Sequence, residues 1–463
     1  MSGSARATHS NPILPPAEAW NQLLRSDVEL APAFSNELNA RMRFERLTFG
    51  DRVHCPFLRP FFLTVEDEQR VREISETIAA LGERIVKQSL ADPRLLAQSA
   101  LSPEEERLAR INPGYATSST SSRLDAFLLP DSLQFAEYNA ESPAGAGYAE
   151  TLAEVFRTLP IMERFSQQYT ARKYPVIKLL LNALLDSYRE WGGKATPPVI
   201  AIVDWREVPT WNEFEILQKR FLKEGVPTVL SDPRDLVFQN GKLIAQGQRV
   251  DLLYRRVLIN DIIARPLECS ALMKAYESGA VCMTNALTCK IPHKKAFFAV
   301  LTDEQNSALF SAAERELIKL HIPWTRLLAD TKTTREGQAF GLLEYVRKRR
   351  NDFVLKPNDE YGGTGVHLGW ENSESEWDAA LDAALAATNS AWVVQERIKI
   401  RREVFPMQTP HGIEMTDMLV DFAPYIFRGK MAGCLTRLSS TGLANVTSGG
   451  GQVPSFVVEP RVT

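Results

Sequence analysis

A lysine, a carboxylate and three glycines stand close together at Lys356, Glu360, Gly362, Gly363 and Gly365. These residue types suit a nucleoside triphosphate. A lysine at 356 supplies a point charge for phosphate oxygens. Glycines at 362, 363 and 365 let backbone N–H groups approach those oxygens with no Cβ in the way. Glu360 suits magnesium, which takes one or two carboxylates and completes its shell with phosphate and water. A second reading of the same stretch is a strand, a turn and a glycine hairpin, because glycine punctuates many loops. Two better-known phosphate motifs are ruled out. The chain has no G-x-x-x-x-G-K-[ST], and the third glycine of a G-x-G-x-x-G begun at Gly363 would fall on Leu368.

Other residues could join this chemistry. In Leu133–Asn139, strict strand alternation points Glu137 and Asn139 to one face. That pair fits a hard cation, or a polar strand face turned to water. Lys294 and Lys295 open a helix, where cations oppose the macrodipole. Phosphate binding and a solvated basic turn both explain them. Backbone groups near Gln395, Glu396 and Arg397 suit an adenine edge, with Val394 and Ile398 as apolar contacts. Arg437 and Gly449-Gly450-Gly451 read as a second anion-binding corner. Asp204, Asp232, Arg255 and Arg256 fall at strand ends, where substrate contact, capping and ion pairing are all open.

Composition narrows the class. The chain has 463 residues, room for two or three domains, and 44% hydrophobic residues, enough to bury large cores. A net charge of −3 gives no reason to expect nucleic acid or an anionic membrane as a partner. Five scattered cysteines form no C-x-x-C, so neither a zinc knuckle nor a disulfide framework is expected. Reduced thiols fit a cytoplasmic location. Met1–Leu14 is polar and lacks the apolar run of a signal peptide.

The elements that position these residues follow from periodicity. Residues 1–120 are read as a mainly helical N-terminal region, with helices over 17–24 and 65–108. Residues 121–197 carry a hairpin, 123–128 with 133–139, and helices over 149–159 and 176–191. Residues 198–286 are read as a small α/β domain. Its strand 198–204 is a continuous apolar run, as parallel strands covered on both faces are. Asn240-Gly241 predicts a hairpin turn in it. Residues 287–463 hold a helix to about 301, helices over 303–321, 336–349 and 373–388, and the strand entering the glycine loop. A hinge strand over 392–398, a hairpin of 418–427 with 431–437, and a last strand over 455–458 complete it.

Taken together, Leu355-Lys356-Pro357 with its glycine loop, the late Gln395-Glu396 strand and the terminal Arg437 with its glycines resemble an ATP-grasp domain. Glu137-Tyr138-Asn139 matches the Glu-x-Asn of that family but precedes the glycine loop instead of following it. That order resembles the circularly permuted ATP-grasp proteins, including eukaryotic-type glutathione synthetase and the synthetase half of glutathionylspermidine synthetase. The resemblance spans about residues 120–458. It implies an α/β (α+β) ATP-grasp fold with an inserted Rossmann-like substrate domain. It also implies ATP and Mg2+ as cofactors, with small-molecule carboxylate and amine substrates joined through an acyl phosphate. Glu137, Asn139 and Glu360 would hold magnesium. Lys356 and either Lys294 or Lys295 would hold phosphates, and Arg437 and Arg123 would face the acyl group. Asp359 stands where the glutathione synthetase branch has an arginine. The alternative is a nucleotide-binding module without ligase turnover.

Overall fold

A computed structural model describes residues 14–26, 30–49, 52–388, 390–409, 412–440 and 450–461. Two helices matter from the N-terminal part: α1 (Val65–Ala91) and α2 (Pro103–Ala109). Thr64 caps α1 by accepting from the Asp67 amide at 3.0 Å, and Glu66, Asp67 and Glu68 complement its dipole. A capping box of Ser102 and Glu105 starts α2, with Pro103 in its first turn.

The strands and helices that frame the site are, in chain order, β1 (Ser121–Leu128), β2 (Leu133–Asn139), β3 (Ile200–Val203), β4 (Thr228–Ser231), β5 (Leu252–Arg255), β6 (Cys282–Thr284), α3 (Lys290–His293), α4 (Ala296–Thr302), β7 (Thr325–Leu327), β8 (Phe353–Pro357), β9 (His367–Leu368), β10 (Trp392–Glu396), β11 (Arg402–Thr409), β12 (Gly412–Phe427), β13 (Lys430–Ser439) and β14 (Gly451–Val453). They form three sheets around the site. The largest is antiparallel, ordered β14-β13-β12-β1-β2, with β11 also on β12. A parallel sheet runs β6-β5-β3-β4. Its strand β3 is buried throughout. Ile200 and Ile202 join the main core, whereas Ala201 and Val203 join a separate core with Leu253 and Met283. Both faces are covered, which is why this strand reads as unbroken apolar sequence.

The third sheet, β7-β10-β8-β9, has its own core of Trp324, Val346, Phe353, Leu355 and Trp377. Alternation along β8 sends Phe353 and Leu355 into that core and Val354 and Lys356 to the opposite face.

Several expected elements differ. Glu336–Arg349 is not one helix. Lys332–Arg335 and Gln338–Gly341 form a hairpin, and the helix starts at Leu342. Glu336 and Gly337 turn that hairpin at φ of 52° and 75°, a conformation no helix passes through. Residues 304–309 are a 3-10 turn, with an α-helix only from Ala312. The helix expected through 290–301 breaks at Lys294 into α3 and α4. The expected hairpin of 418–427 with 431–437 is present as β12 with β13, but β12 starts earlier, at Gly412, and its first half pairs with β11, a strand the sequence reading did not foresee. A helix over Leu30–Phe44 was not foreseen, since Pro32 interrupts its pattern. The closing stretch from Leu443 to Gly449 lies outside the described residues, as do residues 1–13, where the absence of a signal peptide was expected.

Candidate functional site

A cavity opens between the face of β8 that carries Lys356 and the large antiparallel sheet. Lys295, Lys356, Glu137, Glu360, Gly362 and Gly363 all line it. Gln395, Glu396 and Arg437 do too. Its apolar wall includes Phe127, Val354, Val366, Leu368, Trp370 and Ile398. Residues more than two hundred positions apart in sequence thus share one space. Arg123, Asn139, Lys294 and Gly365 are not part of the lining.

Lys356 donates to the Gln395 Oε1 at 2.6 Å and more weakly to the Ala136 carbonyl at 3.4 Å. Both acceptors are neutral. Burial lowers its pKa to about 8, against a counter-pull from Glu137. The basic pair divides. Lys295 faces the cavity 3.6 Å from Glu137 and donates to the Glu360 carbonyl, whereas Lys294 is buried between Glu105 at 2.7 Å and Asp359 at 2.9 Å.

Glu137 accepts from the Asn139 amide at 2.9 Å. Burial works against its ionisation, yet Lys295 and Lys356 outweigh it and hold the carboxyl below its usual range. Among the described residues no three His, Cys, Asp or Glu side chains converge as a protein-only metal cage. In the loop, Gly362, Gly363 and Gly365 have φ of 66°, 79° and 70°. A Cβ on Gly365 would stand 2.8 Å from the Pro357 ring, so this position needs glycine twice over.

A row of charge crosses the large sheet beside these groups. Arg437 pairs in register with Asp421, and Asp125 with Glu137. Arg437 donates to Asp421 at 2.5 Å and to Asp125 at 2.6 Å. Arg123 donates twice to Asp125, at 2.7 and 3.0 Å, and once to the Ala144 carbonyl. Burial opposes the charge on Asp125, but Arg123 and Arg437 hold it well below the usual carboxylate range. Burial lifts Asp421 to about 7, with Arg437 pulling down and Asp125 pushing up. The expectation that Arg123 faces the acyl group is corrected to that extent: its guanidinium is tied to Asp125 behind the cavity wall.

The hinge also differs from its sequence reading. The Glu396 and Arg397 amides already donate to the Trp324 and Asp352 carbonyls, at 2.8 and 2.7 Å. Gln395 is buried, accepting from Lys356 and donating to Thr325, so its side chain orients the lysine. Glu396 pairs with Arg335 at 2.9 Å. Arg397 packs over Trp370 with 4.1 Å to the ring centroid.

Among the strand-end candidates, Arg255 is buried against Val257 and Glu141, and Asp232 is taken by Arg234. Arg256 donates to the Pro143 carbonyl at 2.7 Å, and burial raises the Asp204 carboxyl to about 6. The sequence reading missed Asp125, Asp421 and Trp370. Asp125 lies two positions from Arg123 on one strand face, and Asp421 interrupts an apolar strand. An acid there is costly unless paired, and that was the available signal.

Residues 130–439, more than half of the chain, match the family model described as circularly permuted ATP-grasp type 2. The chain belongs to that family. In this chain Glu137 and Asn139 of β2 precede β8 and its glycine loop. An uncharacterized protein of Mycobacterium tuberculosis is 24% identical over 71% of this chain, which spans 58% of that relative's length. A Frankia casuarinae protein provisionally named glutamate–cysteine ligase 2-2 is 22% identical over 51% of this chain and 27% of its own. The apo structure of a glutathione synthetase-like effector, GSS30 from Globodera pallida, shares the fold at a TM-score of 0.58. Identity there is 12%, over 96% of this chain and 98% of that one. No helix among the described residues is long and apolar enough to cross a membrane.

Proposed function

We propose that this ATP-grasp protein is an ATP- and magnesium-dependent carboxylate–amine ligase that activates its carboxylate substrate as an acyl phosphate. The observation that supports it most is the half-buried Lys356 ammonium, whose hydrogen-bond acceptors are both neutral, facing a cavity it shares with Glu137, Glu360, Lys295 and Arg437. The donor set fits a magnesium nucleotide. Lys356 and Lys295 hold phosphate oxygens. Glu137 and Glu360 are two carboxylates for an ion that draws its other ligands from phosphate and water. Gly362 and Gly363 present backbone at the wall. ATP, when bound, supplies the phosphoryl group. The chain supplies position and fixed charge, which is most of what phosphoryl transfer requires. Arg437 steadies the anionic acyl group. Val354, Leu368 and Ile398 hold the base. With the Glu396 and Arg397 amides taken by Trp324 and Asp352, the backbone at Ile398 would be left to meet its edge.

With ATP, magnesium and a panel of amino acids and small peptides, hydroxylamine is expected to trap the activated acyl group as a hydroxamate. Phosphate release should rise with the right carboxylate. Tight ATP binding with no hydroxamate from any carboxylate would favour a nucleotide-binding module without turnover.

Glu137→Gln and Glu360→Gln are each expected to raise the magnesium needed for half-maximal turnover by about tenfold. Their combined effect should fall short of additive, because both act on one ion. A magnesium titration of the two single variants and the double variant measures this. Strictly additive losses would place the two carboxylates at separate sites.

A further inference from the structure

The glycine loop is tied to a part of the chain that lies outside residues 130–439. Lys294 donates to Glu105 of α2 at 2.7 Å and to Asp359 at 2.9 Å. Lys290 stands 2.9 Å from the same Asp359 and 3.0 Å from Glu141. One residue earlier, the Asn358 side chain donates to the Ser99 carbonyl at 3.1 Å and accepts from the Ala296 amide at 2.8 Å. The Lys295 amide donates to the Asn358 carbonyl at 2.9 Å. Ser99, Glu105, Lys290, Lys294 and Asn358 are all buried.

These contacts converge on the two residues before Glu360 and on the residue before Lys295. A magnesium carboxylate and a phosphate lysine therefore leave one clamp in adjacent directions. Glu105 can hold its place without this role, since its other oxygen closes the capping box on the Ser102 amide at 2.8 Å. Its Oε1 is what reaches Lys294.

We propose that Ser99 to Glu105 is a positioning segment that sets the spacing of Glu360 and Lys295, with Glu105 acting through Lys294 and Asp359. The proposal rests on the nucleotide reading of the cavity. Glutamine at 105 keeps an oxygen for the cap and removes the charge facing Lys294. Glu105→Gln is expected to weaken Mg·ATP binding by calorimetry about tenfold, as loss of a supporting contact behind a metal or phosphate ligand does. In the ligand-free protein it should speed amide exchange across residues 360–366 while exchange in the β3–β5 core stays unchanged. Where Glu105→Gln does not fold, Glu105→Gln with Lys294→Gln removes one charge of each sign and takes its place, with the same expected losses. Unchanged loop exchange and unchanged ATP affinity in a folded variant would overturn the proposal. If the unaltered protein binds no ATP, the nucleotide reading falls, and the exchange measurement still decides whether the clamp holds the loop.

Discussion

Lys356→Met is expected to weaken ATP binding about 100-fold, the ~3 kcal/mol that charge-assisted contacts to phosphate contribute. The fold should survive. Methionine matches the lysine stem in length and leaves Phe353 and Leu355 in their core. The ammonium itself costs stability where it stands. A cation whose folded pKa is about 8, below its unfolded value, carries its full penalty below that pH. The penalty fades as pH rises toward the unfolded pKa. The variant is therefore expected to melt no lower than the unaltered protein at pH 7, and any gain should shrink as pH rises from about 8. Binding has the opposite dependence. Phosphate favours the charged lysine, so ATP affinity should hold below about pH 8 and fall above it, with proton uptake on binding. Calorimetry in buffers of different ionisation enthalpy measures that uptake, and Lys356→Met should abolish it. Unchanged affinity in a folded variant would remove Lys356 from the site.

Arg437→Met carries the second large effect. Turnover is expected to fall by about 10²–10³-fold, the range for removing a fixed donor from a developing negative charge. Stability should fall too, by ~3 kcal/mol, because two buried carboxylates lose a shared partner. The loss depends on pH. Burial already lifts Asp421 to about 7, and without Arg437 it rises further. An acid with a raised folded pKa loses stability from its unfolded pKa up to its folded one, so a further rise at Asp421 adds cost, relative to the unaltered protein, only above about pH 7. The share lost through Asp125 should be present at pH 6 already, and the deficit should grow from pH 6 to pH 9 as Asp421 is forced to ionise, read by thermal melts at both. Asp421→Asn added to Arg437→Met should restore part of the stability at high pH and none of the turnover. Turnover at the unaltered level in Arg437→Met would leave that arginine a structural tie between β12, β13 and β1.

Local chemistry was legible where one short stretch carries its own explanation. Phe353 to Gly365 shows an apolar run, a strand-end lysine and glycines at positive φ, all set by neighbours in sequence. The Asn240-Gly241 turn and the β1–β2 hairpin were legible for the same reason. The hairpin at 332–341 was not. Its strands are short and exposed or half-exposed, the first polar and charged, so no apolar period marks them, and positive φ at Glu336 is something a glutamate does not advertise. The long β11–β12 hairpin was obscured similarly, by exposed polar residues between its apolar ones.

The sequence by itself determined which strand and loop bring a lysine, a carboxylate and three glycines together. It did so because strand alternation and glycine conformation act over a few residues. Only the tertiary structure decided between neighbours that look alike. Lys294 and Lys295 are adjacent cations, yet the break between α3 and α4 turns one into a buried ion pair with Glu105 and the other onto the cavity wall. Arg123 and Arg437 were read alike, yet Asp125 holds the first behind the wall, while the second stands in the lining. Gln395 was read toward the base, yet register against β7 and β8 commits its amide to Thr325 and Lys356. Arg123 apart, whose partner Asp125 is two residues away, these outcomes depend on partners 39 to 312 positions distant in the chain. Long-range pairing and burial set them, and no local pattern encodes them.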